Sequence, residues 1–231
     1  MSVMTLRHEQ IFSSVLFNPR CVDVVGCGAL GSRIAMSLAK LGIMNINLWD
    51  FDKIEEHNIA NQLFGNGDVG EAKTDALTKM ILEATGTDCY KNGRCEGDKP
   101  FGDVVFMCVD SMKVRKELWE KQVKYQPSVG LLVESRMGAD SCRVYAIQPC
   151  NPQHVELYEQ TLYGDEEAAT SVCGSSISVG PTAEIVSGIA VWQFIKWWRW
   201  SQRSSDQDTE PESEVILALR QQFMVISRKF E

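Results

Sequence analysis

Positive charge is the first thing this sequence is short of. It carries 23 Lys and Arg against 31 Asp and Glu, a formal net charge of −8 with a pI near 5.0. Nucleic-acid binding draws most of its affinity from clustered cations, so no nucleic acid is expected as a partner. Long hydrophobic runs are missing too. The Trp-rich stretch Ala190 to Trp200 is interrupted by Gln193, Lys196 and Arg199 and is too short to span a bilayer, so it reads as a buried helix and no membrane partner is expected. The eight cysteines include no Cys-x-x-Cys pair, and structural zinc is not predicted. Several of them lie in apolar runs, where a thiol behaves as a small hydrophobe. Met1 to Gln10 has no apolar core of signal-peptide length, so a reducing cytoplasm with free thiols is the expected setting. Histidine is scarce: His8, His57 and His154 are read as solvated or structural, which leaves no histidine-based dyad. There is no internal repeat.

What is present is an ordinary globular composition, 44% hydrophobic and 23% charged over 231 residues. One α/β domain over residues 1–200 is expected, then a solvated linker at 201–213 and a terminal strand or helix at 214–231. Cys21 to Val25 is an apolar run ending at glycine. Ala29 to Leu41 places Leu30, Ile34, Leu38 and Leu41 at helical spacing, and Ile43 to Trp49 reads as a second strand with Asp50 at its carboxyl end. This is a βαβ unit. Asp52 to Gly70 is polar and aperiodic, in the manner of a connection that carries function, and Lys73 to Ala84 resumes helical spacing. Asp103 to Val109 is nearly all apolar, as a parallel strand covered on both faces should be, and it ends at Asp110. Further elements are a helix at Met112 to Tyr125, a buried strand at Val129 to Val133, an alternating strand at Cys142 to Ile147 that suits antiparallel pairing, and helices at Asn151 to Leu162 and Thr182 to Trp200. The expected architecture is a Rossmann-like mixed sheet of six or seven strands flanked by helices.

The chemistry concentrates between Val22 and Lys73. Gly26-Cys27-Gly28-Ala29-Leu30-Gly31 is a GxGxxG run between a strand and a helix: Gly26 for a tight turn, Gly28 for close approach of a phosphate, Gly31 for helix-on-strand packing, with the helix N-terminus facing the anion. Asp50 stands at the next strand end, where a carboxylate accepts from ribose hydroxyls. Taken alone this is a nucleotide site, and NAD is its default filling, so an NAD(P)-dependent oxidoreductase is one reading. The residues that follow favour a triphosphate. Asp52, Asn58, Asn61, Gln62 and Lys73 supply amide donors and an ammonium beyond the glycine turn, and Asp110 offers the hard oxygen ligand that magnesium prefers. Singly, each has a plainer role: Asn58 and Asn61 as turn residues, Lys73 as a solvated helix start, Asp110 as an N-cap.

The segments VVGCGALGSRIAMSLAKLGI, LWDFDKIEEHNIANQ and DVGEAKTDAL resemble the ThiF/MoeB/HesA superfamily, which includes the ubiquitin-activating enzymes, and the similarity continues through Val109-Asp110 and Ser135-Arg136-Met137-Gly138. That resemblance implies a compact ThiF/MoeB-type adenylation fold using ATP and Mg2+ to activate the C-terminal carboxylate of a ubiquitin-like protein or peptide as acyl-AMP. It implies ribose binding by Asp50, phosphate binding by Asn58 and Gln62, contact of Lys73 with the transferred phosphoryl group, and metal binding by Asp110. Relatives often read Asn-x-x-Arg-Gln where this chain has Asn61 in place of the arginine. The missing cation is assigned either to Arg7, offered across a homodimer interface, or to Arg33. Cys173 lies where relatives place a cysteine on a loop, and is the candidate to receive the acyl group as a thioester. A non-catalytic adaptor that keeps the fold is the remaining alternative.

Overall fold

The computed structural model describes residues 5–97, 99–164, 179–203, 205–220 and 223–230. A short helix α1 (Ser14–Phe17) leads into β1 (Val22–Val25), α2 (Ala29–Lys40), β2 (Ile46–Trp49), α3 (Lys73–Thr85), β3 (Tyr90–Asn92) and β4 (Val104–Met107). There follow α4 (Met112–Leu118), β5 (Leu131–Met137), β6 (Ser141–Ile147), α5 (Pro152–Glu159), α6 (Gly180–Ser201), β7 (Glu214–Ala218) and β8 (Met224–Arg228). The strands form one sheet in the order β3-β2-β1-β4-β5-β6-β7-β8, so it has eight strands where six or seven were expected. Pairing is parallel from β3 through β5 and antiparallel from β5 through β8.

Strand periodicity sorts the core into two layers. Val22 and Val24, Val104 and Phe106, and Leu131 and Val133 face α2, α3 and α6; Val25, Val105, Met107 and Leu132 face α4 and α5. The helix expected over 112–125 is α4 continued by a single π turn, Trp119–Val123. α6 is the buried Trp-rich helix, and no described helix is long and apolar enough to cross a membrane. The supposed linker departs from expectation: Arg199 Nε donates to Asp208 at 2.8 Å and Gln193 Nε2 to the Glu212 carbonyl at 2.6 Å, tying that segment to α6 before β7 joins the sheet.

β1 is the hinge of the topology. β2 lies on one side of it and β4 on the other, so the turns after β1 and β4 diverge and leave a crevice at the carboxyl ends, the position where open α/β sheets bind ligands. Beneath it, Phe194 of α6 packs its ring 5.2 Å from Phe17, 5.4 Å from Phe12 and 6.0 Å from Phe106, joining α1, α6 and the sheet. Phe194→Ala is expected to cost about 3–5 kcal/mol, measured by urea unfolding. A loss below about 1 kcal/mol would mean that this cluster is not a principal joint.

Candidate active site

The glycine turn is shaped by contacts that a side chain would block. Gly26 has φ +91°, and a Cβ there would lie 3.0 Å from the Cys108 carbonyl group at the end of β4. At Gly31 a Cβ would fall 1.8 Å from the Gly26 carbonyl oxygen, so α2 rests directly on the turn. Gly28 is different, because the nearest atom to a Cβ would be Gln62 Nε2 at 3.8 Å, which leaves room in front of the helix. Gly28 is also the N-cap of α2, and no side chain caps that end, so the first N–H groups, including that of Ala29, carry the helix dipole into the crevice uncovered by a cap.

Asp50 locks this turn to the loop that follows. One carboxylate oxygen accepts from Cys27 N at 2.7 Å and the other from Asp52 N at 2.8 Å. Burial pushes the Asp50 carboxyl above the usual carboxylate range, while those two N–H groups and the Lys73 ammonium pull it back. Asp52 in turn accepts from Lys73 Nζ at 2.8 Å, and its carbonyl accepts from Lys73 N at 3.0 Å. Lys73 is buried at the first residue of α3, so it is not the solvated helix start that was the plainer reading. Asn58 is buried in a 3-10 turn, Glu56–Asn58, where its Oδ1 accepts from Glu55 N at 3.0 Å. Its oxygen is therefore structural, and its amide N–H groups are what it can offer a ligand. Gln62 Oε1 is buried with no hydrogen-bond partner.

Asp110 is exposed just past β4, and the N-cap of α4 is Ser111, whose Oγ accepts from Val114 N at 3.3 Å. The plainer reading of Asp110 as a cap is thereby removed. Among the described residues, no cluster of three or more His, Cys, Asp or Glu could hold a metal by itself. Burial pushes the Cys108 thiol up to about 12 and the Cys27 thiol well above its ordinary value, so the two cysteines beside the turn are protonated at neutral pH. Cys173 lies outside the described residues.

The two arginines proposed as the missing cation are placed very differently. Arg7 is in an exposed turn, and neighbouring His8 lies 3.3 Å from the Leu41 carbonyl, at the carboxyl end of α2. Since α2 rises about 1.5 Å per residue along its length, Arg7 is a whole helix away from its own glycine turn. Arg33 is buried at the crevice: Nη1 donates to the Asn61 carbonyl at 2.7 Å and to Ala29 O at 2.9 Å, and Nε to Glu184 of α6 at 2.7 Å. Gly180, opening α6, packs on the Ala60 carbonyl.

Sequence reading missed a buried ionic cluster on the other side of Asp110. Glu134 is shared by Arg115 and Arg136, and Tyr158 donates to it at 3.0 Å. Arg136 also holds Thr161 through its carbonyl at 2.6 Å and its hydroxyl at 3.0 Å. Burial lowers the Arg115 guanidinium to about 10, and it remains charged at neutral pH. The Glu-Ser-Arg run in a strand of hydrophobic residues was the available signal, since alternation puts Glu134 and Arg136 on one face.

The glycine turn follows β1, Asp50 follows β2 and leads through Asp52 to the buried Lys73, and the exposed Asp110 lies just past β4, so all stand around the topological switch. Residues 14–89 match the ThiF family model. The resemblance seen in the motifs is borne out, and the ThiF match takes in the glycine turn, Asp50 and Lys73 but ends before Asp110. Ubiquitin-like modifier-activating enzyme 5 of Caenorhabditis elegans is 24% identical over 207 residues, 77% of this chain and 47% of that protein. The mouse adenylyltransferase and sulfurtransferase MOCS3 is 45% identical over 102 residues, 41% of this chain and 22% of that protein. The chain spans about half the length, or less, of the curated relatives it matches. The crystal structure of E. coli MccB with ATP shares the fold, with a TM-score of 0.67 at 15% identity, covering 96% of this chain and 66% of that one.

The two glycines separate packing from ligand access. Gly31→Ala is expected to destabilise by about 3 kcal/mol or more through its clash with Gly26. Gly28→Ala should stay within about 1 kcal/mol of the parent and act on ligand binding instead. Denaturant titration of both variants checks this, and equal losses would contradict it.

Proposed function

We propose that the chain is an ATP-dependent adenylyltransferase that activates the C-terminal carboxylate of a ubiquitin-like protein or peptide. The observation that carries the reading is the string Cys27–Asp50–Asp52–Lys73, which joins a glycine turn shaped for a phosphate to a buried ammonium by hydrogen bonds of 2.7–2.8 Å. Nucleotide chemistry fits the residues present. The uncapped end of α2 and the space over Gly28 suit a phosphate, and Asp50 keeps about two of its four lone-pair sites for ribose hydroxyls. Asn58 offers its amide, Gln62 Nε2 is the nearest atom to the space over Gly28, and Lys73 retains two N–H bonds beyond the one given to Asp52. Asp110 is the residue that would hold magnesium, with phosphate oxygens and water completing the shell, as is usual for this ion. Magnesium bound there would neutralise phosphate charge.

A carboxylate is already ionised at neutral pH, so the protein needs no general base to make it a nucleophile. Its oxygen bonds to the α-phosphorus as the bond to the bridging oxygen breaks, releasing pyrophosphate without transfer of a proton. Lys73 and Arg33 then serve by placing positive charge where the leaving group gathers negative charge. Arg33 is the cation that this chain itself brings to Asn61; Arg7 could serve only the site of a second copy, which is the homodimer reading. Cys173 would then take the acyl group as a thioester, its sulfur bonding to the acyl carbon as the bond from that carbon to the AMP oxygen breaks, with AMP leaving and the thiol proton passing to solvent.

Purified protein with Mg2+, ATP and a panel of glycine-ended ubiquitin-like proteins is expected to catalyse ATP–pyrophosphate exchange and to form AMP adducts visible by mass spectrometry. Lys73→Ala should lower exchange about a hundredfold or more, and Cys173→Ser should keep the adenylate while losing any thioester. Exchange absent across the panel, or unchanged in Lys73→Ala, would reject the proposal.

Asp50 adds a pH test. Its folded-state pKa is raised by burial, so the carboxylate is lost, as pH falls, earlier than an ordinary aspartate would be. Adenosine, which has no phosphate to titrate, should therefore bind more weakly on acidification while the pH is still above the usual aspartate range. In Asp50→Asn binding should be weak and flat over that interval. An equal pH dependence in both proteins would remove Asp50 from ribose binding.

A further inference from the structure

Among the described residues Asp110 has no local device to aim it: its side chain is exposed, and Ser111 rather than Asp110 caps α4. Regular strand pairing of β4 ends at Met107, and the last ladder-like bond is Cys108 N to Val25 O at 2.8 Å. The Val109 carbonyl, immediately before Asp110, is taken by a side chain instead. Arg115, from the second turn of α4, reaches back so that Nη2 donates to Val109 O while Nη1 donates to Ser135 O at 3.1 Å in β5. Glu134, fully buried, pairs with the same guanidinium from below.

A hydrocarbon side chain would fill this space without the desolvation cost of a buried guanidinium, so packing alone does not explain Arg115. A planar fork that pairs with a carboxylate and donates to two backbone carbonyls does something a hydrocarbon cannot: it sets the position and direction of the chain just past β4 against β5. We infer that Arg115 is a positioning residue for Asp110, fixing through the Val109 carbonyl the direction in which that carboxylate leaves the sheet. The inference rests on the assignment of Asp110 as the magnesium-holding residue and extends it to a group that touches neither metal nor nucleotide.

The test is ATP binding by the full chain, measured by calorimetry in EDTA and across a magnesium titration, which needs no acyl substrate. In Arg115→Met the ATP affinity in EDTA should match the parent, while the magnesium concentration giving half of the metal-dependent gain should rise about ten- to a hundredfold, the range for outer partners of a metal ligand. Arg115→Lys, able to reach one carbonyl but not both, should fall between, and this graded rescue is something a packing role would not produce. Thermal unfolding is followed in parallel; if Arg115→Met does not fold, Arg115→Lys and Glu134→Gln carry the same reading. Asp110→Asn separates the two levels. If it abolishes the magnesium dependence while the Arg115 and Glu134 variants keep the parent's half-point, the positioning role is overturned and Asp110 stands. If Asp110→Asn leaves the dependence intact, the metal assignment itself fails, and the positioning role with it.

Discussion

A carboxylate at the end of a buried parallel strand can either be paid off by fixed donors or left partly open, and the site depends on Asp50 being the second kind. Its two oxygens take N–H groups from either side of the crevice, Cys27 in the glycine turn and Asp52 in the irregular loop, so one charged group anchors both. Asp52 passes the constraint on to Lys73 and hence to the start of α3. Asp23 is the instructive contrast. It is fully buried in β1, and donors from Trp49 at 2.7 Å, Asn47 at 3.0 Å and Gly102 at 2.7 Å satisfy it, so it staples β1 to its neighbours without facing the crevice.

Around that anchor the protein keeps its cations buried and held. Lys73 lies against Asp52, Arg33 against Glu184 and the Asn61 carbonyl, and Arg115 and Arg136 against Glu134. Groups arranged this way have already lost their hydration and much of their side-chain freedom, so less reorganisation remains when charge develops nearby. Burial also makes the cysteines beside the turn poor nucleophiles, against the opposing pull of Lys73 on Cys27 and of Arg115 on Cys108. Cys27 and Cys108 are desolvated among apolar neighbours, which favours the neutral thiol.

Local sequence was enough wherever the physical reason was itself local. Periodicity identified the βαβ unit, the all-apolar β4 and the long α6, because alternation and helical spacing follow directly from backbone geometry. The glycine run was legible because each glycine answers a steric demand within a few residues or at the adjoining strand end. Where the reason lay across the chain, reading along it fell short. The expected linker at 201–213 is polar in composition yet pinned to α6 through Asp208 and Glu212, and two strands rather than one element complete the sheet after it.

The sequence by itself determined the class of fold, the glycine turn and the set of polar residues beyond it, since these are statements about residue type and spacing. Only the tertiary structure decided which of those residues share a site. It separated Arg7 from its own glycine turn by the length of α2, brought Arg33 to the Asn61 carbonyl, gave the α4 cap to Ser111, and closed Arg115 over Val109. The physical reason is that a charged side chain is assigned by the partners that compensate its desolvation, and in this fold those partners come from strands and helices distant in sequence.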